Sequence, residues 1–111
     1  CPGGPETRHM VGREVLAALG PTGFLVNVAR GSIVDTEALI EALGEGVIAG
    51  AAIDVHEDEP NIPDALKQLD NVVLTPHIAG SAEDATHAKY LLYMENMRAH
   101  LDGAKLPTPV T

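Results

Sequence analysis

Basic residues, cysteine and long apolar runs are all scarce in this chain. Seven Lys and Arg stand against sixteen Asp and Glu in 111 residues, a formal net charge of -9. Such an acidic balance argues against wrapping nucleic acid or an anionic membrane surface. A single cysteine, Cys1, rules out an internal disulfide and makes a cytoplasmic setting the default. No apolar run approaches the roughly 20 residues of a membrane-spanning helix; the longest, such as residues 47–53, are strand-sized. The opening residues carry no secretory signal pattern. They also carry no initiator methionine, and the start at Cys1-Pro2-Gly3 leads us to expect a piece of a longer protein. Against these absences, 45% hydrophobic residues argue for a folded core rather than disorder.

Apolar spacing and turn residues divide the chain. Pro2, Gly3, Gly4 and Pro5 make the first ten residues turn-rich. A short helix fits residues 12–19, with Val11, Val15, Leu16 and Leu19 on one face and Gly20-Pro21 as a stop. Residues 24–29 read as a buried strand ending at Arg30-Gly31. Asp35 can cap a helix whose inner face is Leu39, Ile40 and Leu43. A second buried strand spans about 48–55, where alanines and Gly50 imply close packing against the backbone. After a polar connection with a possible helical turn at 64–69, a third strand at 72–75 meets Pro76-His77. Ser81 and Asp84 suggest a capping box for a long helix to about residue 101. Its apolar stripe is Ala88, Leu91, Leu92, Met94, Met97 and Leu101, and Gly103 closes it. The order of elements is α/β, and the continuous apolar strands predict a parallel sheet covered on both faces.

Parallel strands with right-handed crossovers bring their carboxyl ends to one edge, where open α/β sheets bind ligands. Arg30 follows the first strand; Asp54 and the Glu57-Asp58-Glu59 run follow the second; His77 follows the third. An arginine fork can grip a carboxylate through two parallel hydrogen bonds. A histidine can protonate the oxygen of a ketone as it is reduced, and a carboxylate beside it fixes its tautomer and favours its charged form. Together they suit reduction of a 2-oxo acid. Taken singly, each has a plainer reading: Arg30 as a surface residue, the acidic run as a solvated loop, His77 as a structural histidine. His9, His56, His87 and His100 lack metal-ligand spacing, so no metal site is expected. Cys1 lacks the surroundings of a nucleophile.

Three ordered blocks carry a resemblance. They are Val26-Asn27-Val28-Ala29-Arg30-Gly31-Ser32-Ile33-Val34-Asp35, then residues 49–60 from Ala49-Gly50 to Glu59-Pro60, then Asn71-Val72-Val73-Leu74-Thr75-Pro76-His77-Ile78-Ala79-Gly80. They resemble the signatures of the D-isomer-specific 2-hydroxyacid dehydrogenases, and within that family most nearly the glyoxylate/hydroxypyruvate reductases. The similarity covers nearly the whole chain, including Cys1-Pro2 and the Pro5-Glu6-Thr7-Arg8-His9 stretch. It implies that Arg30 binds the substrate carboxylate and carbonyl, that His77 is the acid/base and that Glu59 is its carboxylate partner. It also implies that Asp54 meets the nicotinamide carboxamide, that Val28, Ala29 and Gly80 lie at the nicotinamide end, and that Cys1 and Pro2 line the cofactor cleft. Arg30 and His77 then touch cofactor as well as substrate.

The same resemblance implies a fold in which residues 1–80 are the C-terminal part of a Rossmann-like nucleotide-binding domain. Residues 81–111 would be a helix and tail returning toward a substrate domain that is mostly absent. No G-x-G-x-x-G phosphate loop is present, nor the residue that selects NAD or NADP. His56 stands where the family often has an aromatic residue, and Glu59 separates the chain from formate dehydrogenases, whose pattern has glutamine there. The expected activity of the complete protein is NAD(P)H-dependent reduction of a 2-oxo acid such as glyoxylate or hydroxypyruvate, by a homodimer. Two alternatives stand beside it: an NAD(H)-regulated corepressor of the C-terminal-binding type, which shares the Arg–Glu–His set, and a structural fragment inactive in isolation.

Overall fold

A computed structural model describes residues 1–110 of the chain. They form two compact units, Cys1–Ala79 and a second from Gly80 onward.

The first unit is a three-stranded parallel sheet in the order β1-β2-β3, with β1 at Phe24–Asn27, β2 at Gly50–Ile53 and β3 at Val72–Leu74. Helices α1 (Arg13–Leu19), α2 (Thr36–Gly44) and α3 (Asp64–Lys67) join them. The Asp35 side chain caps α2 as expected, accepting from the Ala38 amide at 3.1 Å. The buried face of α2, Ala38, Leu39, Ala42 and Leu43, packs with Leu16 of α1 and Leu66 of α3 over Ala51 and Ile53 of β2. Of the expected α1 face only Leu16 is buried; Val15 and Leu19 are exposed.

Register fixes the faces of the sheet. Leu25, Ala51 and Val72 form one row toward the helices, and Val26, Ala52 and Val73 form the next, on the opposite face. That opposite face is open: Phe24, Val26 and Val73 are 68%, 65% and 62% exposed. The expectation of a sheet covered on both faces is therefore corrected for this chain. All three helices of the unit contribute to one core, leaving nothing in it to cover the other side. Gly50 does admit a close neighbour: a Cβ there would lie 3.1 Å from the Phe24 ring and 2.8 Å from the Asn71 carbonyl oxygen.

The second unit is dominated by α4 (Glu83–Leu101). No residue of α4 is buried, and its apolar stripe is largely in solvent, with Met97 60% and Leu101 79% exposed. The expected capping box is absent: the N-cap is Ala82, with no side-chain cap. Gly103, at φ 65°, closes the helix as a left-handed cap.

Candidate functional site at the carboxyl edge of the sheet

Hydrogen bonds past the strand ends lash the three exits together. The Asp54 amide donates to the Asn27 carbonyl at 3.0 Å, the Thr75 amide to Ile53 at 3.0 Å and the His77 amide to the Asp54 carbonyl at 2.8 Å. The buried polar side chains among the described residues, Asn27 and Asp54, both sit at strand ends and shape the turns beyond them. Asn27 donates to the Arg30 carbonyl and accepts from the Ala29 amide, each at 3.1 Å. Asp54 accepts from the Thr75 hydroxyl at 2.5 Å and from the Ile78 and Ala79 amides at 2.9 Å. The Thr75 hydrogen bond holds the Asp54 carboxyl below its ordinary value; the two amides and the nearby His77 add to this, and burial opposes it.

Asp54 thus grips the turn that carries His77 from both sides. His77 sits in that turn with φ 56°, a conformation uncommon for a residue with a side chain and concentrated at functional sites. Its Nδ1 lies 3.1 and 3.0 Å from the two Glu59 carboxylate oxygens. A carboxylate only accepts, so Nδ1 carries the proton and Nε2 remains for another partner. Glu59 also accepts from the His56 amide at 2.9 Å. The His77 bond, then the His56 amide, hold the Glu59 carboxyl below its ordinary value.

Arg30, Glu59 and His77 line one cavity of about 470 Å³ with Gly3, Gly31, Ser32, His56 and Glu57. The three residues expected to carry the chemistry are therefore brought together from three different strand exits. Arg30 is exposed, and its Nη1 donates to the Ala29 carbonyl at 2.6 Å. This arrangement offers a cation for a carboxylate, with a histidine–carboxylate pair on the same cavity wall.

The remaining expected positions are more scattered. Val28 is 59% exposed just before Arg30, and Ala29 has both its amide and its carbonyl engaged within the chain. Asp54 has three internal donors, leaving about one of the roughly four acceptor positions of a carboxylate. Cys1 and Pro2 are exposed; the Pro2 carbonyl accepts from the Thr7 hydroxyl at 2.9 Å. Gly80 falls in the second unit, where its carbonyl accepts from Lys89 at 2.7 Å. Within the first unit two of them suit the nicotinamide end of a dinucleotide: Val28 offers apolar surface near Arg30, and Asp54 retains an acceptor position. They provide no cradle for its pyrophosphate. No set of three or more His, Cys, Asp or Glu among the described residues could hold a metal ion, and no helix there is long and apolar enough to cross a membrane.

Two features of this loop leave no local pattern in the sequence. The plain reading of the acidic run as a solvated loop does not hold for Glu57, which pairs with Arg8 at 2.6 Å and His9 at 2.8 Å. His56 also does more than stand in for an aromatic side chain, because its Nε2 donates to the Thr75 carbonyl at 3.1 Å. The only sequence signal for the first was that Arg8-His9 lies in a stretch similar to the family.

The carboxyl edge of a parallel sheet in an α/β domain thus gathers an arginine and a histidine–glutamate pair. Residues 1–79 match the model of the D-isomer specific 2-hydroxyacid dehydrogenase NAD binding domain, and the chain belongs to that family. It is 46% identical over 110 residues to a glyoxylate/hydroxypyruvate reductase of Arabidopsis thaliana, covering 99% of this chain and 35% of that protein. It is 50% identical over 105 residues to a glyoxylate reductase of Pyrococcus furiosus, covering 95% of this chain and 31% of that one. Among solved structures it is similar to an NADPH-dependent glyoxylate/hydroxypyruvate reductase of Sinorhizobium meliloti in complex with NADP and malonate. The TM-score is 0.86 at 45% identity, over 100% of this chain and 35% of that one. The D-lactate dehydrogenase of Lactobacillus jensenii with NAD+ also has a TM-score of 0.86, at 29% identity, over 100% of this chain and 38% of that one. The chain thus spans about a third of the length of these relatives.

Proposed function

We propose that these residues are the acid–base and carboxylate-binding part of an NAD(P)H-dependent 2-oxo acid reductase, acting on glyoxylate, hydroxypyruvate or a close analogue. The observation that carries this reading is the single cavity lined by Arg30, Glu59 and His77. Residues 1–80 would complete a nucleotide-binding domain, and 81–111 would return to a substrate domain. A cytoplasmic homodimer is the setting that fits the acidic chain and the family resemblance.

Arg30 docks the substrate carboxylate, using guanidinium N–H groups not spent on the Ala29 carbonyl. Val28 and Asp54 would hold the ring end of a nicotinamide, which would supply the hydride for C2 of the oxo acid. His77 donates a proton from Nε2 to the oxygen as its negative charge develops. Glu59, hydrogen-bonded at Nδ1, keeps the ring oriented and stabilises its charged form before transfer. Solvent then restores the proton. The balance is one oxo acid, one reduced nicotinamide and one proton consumed, and one hydroxy acid and one oxidised nicotinamide formed.

The test is oxidation of NADH and NADPH by the complete protein carrying this chain, with glyoxylate, hydroxypyruvate and 2-ketogluconate. Oxidation that depends on one of these acids is expected. Failure with every acid and both nucleotides would overturn the proposal.

A further inference from the structure

Two residues other than glycine adopt a left-handed backbone among the described residues, and both are histidines: His77 at φ 56° and His9 at φ 51°. Each pairs with a carboxylate from the same loop, His77 with Glu59 and His9 with Glu57. The first pair belongs to the acid–base machinery. The second is unaccounted for, and strained backbone of this kind persists only where surrounding structure holds it.

Glu57 is the hub of the second pair. Its Oε1 accepts from Arg8 Nη2 at 2.6 Å and His9 Nε2 at 2.8 Å, and its Oε2 accepts from the Thr36 hydroxyl at 3.3 Å. Burial pushes the Glu57 carboxyl up, but the hydrogen bond and charge of His9, the charge of Arg8 and the Thr36 bond outweigh it. The net displacement is below the ordinary value.

The geometry around Arg30 gives this cluster a purpose. Residues 9–11 run alongside 32–35: the His9 amide donates to the Ser32 carbonyl at 2.8 Å, Val11 to Ile33 at 3.0 Å and Asp35 to Val11 at 3.0 Å. Farther back, Gly3 lies against the Arg30 side chain, where a Cβ would come within 3.0 Å of Cγ. On the other side, Gly31 abuts the backbone of His56 and Glu57, where a Cβ would lie 2.1 Å from the His56 carbonyl carbon and 2.5 Å from the Glu57 nitrogen. Arg30 and Gly31 therefore run between two walls, one from residues 3–11 and one from the loop of Glu57. The Arg8–Glu57–His9 cluster ties wall to wall. Arg30 itself has no carboxylate partner among the described residues, so its placement depends on these walls.

We propose that Glu57, through Arg8 and His9, is a positioning residue for Arg30, closing a clamp that aims the guanidinium at the substrate carboxylate. This rests on the reduction reading above and deepens it. The clamp side chains reach Thr36, Asp35 and each other and make no contact with His77, so their loss should weigh on carboxylate docking more than on proton transfer.

The experiment is a double-mutant cycle on the complete protein, pairing Glu57→Ala with Arg30→Lys. It reads KM and kcat for glyoxylate and affinity for oxalate, a non-reacting carboxylate probe. Glu57→Ala alone is expected to raise KM and weaken oxalate about tenfold, the size of an ordinary coupling in one network. The change in kcat should stay within about threefold, with the nucleotide KM unmoved. In the Arg30→Lys background the further loss should be no more than about twofold. Equal losses in both backgrounds, or a fall in kcat with KM and oxalate affinity unchanged, would overturn the clamp. His9→Asn is the second variant should Glu57→Ala misfold. Asparagine tolerates the left-handed backbone but is too short to reach Glu57, and the same KM-weighted loss is expected. Amide exchange at His9 and Val11 is measured on the same samples and should quicken at least about tenfold. Unchanged protection there sinks the clamp whatever the activity. A protein inactive on every oxo acid, yet with exchange that depends on Glu57, would sink the reduction reading and leave the clamp standing.

Discussion

Gly31→Ala is the perturbation that asks most of this account, because it adds one methyl group where three functional segments converge. The added Cβ would sit 2.1 Å from both the carbonyl carbon and oxygen of His56 and 2.5 Å from the Glu57 nitrogen. Unstrained contacts between carbon atoms lie at about 3.5–4.0 Å, so more than an ångström of separation must be found. All three obstructing atoms are backbone, so no side-chain rotation can relieve the clash. Either Arg30-Gly31 retreats from the sheet edge or the loop of His56 to Glu59 does. Overpacking of this kind costs typically about 1–3 kcal/mol. For a domain of about 150–250 residues, 2 kcal/mol corresponds to a fall in Tm of roughly 4–8 °C. The catalytic cost should exceed the stability cost, since the shift lands on the Glu59–His77 contact at 3.0–3.1 Å and on Arg30 together. Misplacement by about 1 Å can lower turnover about 10²-fold. The assay is thermal unfolding and steady-state glyoxylate reduction by the complete Gly31→Ala protein. Wild-type kcat/KM with an unchanged Tm would refute the convergence of Arg30, His56 and Glu59 at this point.

Two further outcomes follow. Leu66 of α3 is 2% exposed and joins the core beneath the sheet, so Leu66→Ala should cost about 2–5 kcal/mol in denaturant unfolding; a loss under 1 kcal/mol would remove α3 from the core. The Asp54 carboxyl lies below its ordinary 3.8 and that of Glu59 below its ordinary 4.5. A carboxyl depressed in the folded state contributes stability that is complete above its ordinary value and lost as pH falls through the depressed one. Stability should therefore decline with acid from about pH 4.5 downward, and Asp54→Asn should flatten that decline. Superimposable pH slopes for the two proteins would show that Asp54 is not the acid-sensitive tie.

Much of the site could be read from residue order. Arg30, Asp54 and His77 each follow an apolar run, and parallel strands bring such positions to one edge. The Asp35 cap and the Gly50 contact were legible for the same reason, since each depends on neighbours close in sequence or register. What escaped were long-range pairings. Glu57 meets Arg8 and His9 from across the fold, and no local spacing announces that. The role of Asp54 within the chain was hidden because it depends on a turn more than twenty residues later. The open sheet face was misread for another reason: apolar patterning reports which surfaces want cover, and the three helices of the first unit all pack into one core on the other side.

We propose His77 as the proton donor in reduction of a 2-oxo acid, held by Glu59 and sharing a cavity with Arg30. The most direct measurement is kcat/KM for glyoxylate with His77→Ala in the complete protein, with correct folding checked by its unfolding transition. A fall of about 10²-fold or more is expected. A folded His77→Ala protein that reduces glyoxylate as fast as the parent would contradict it.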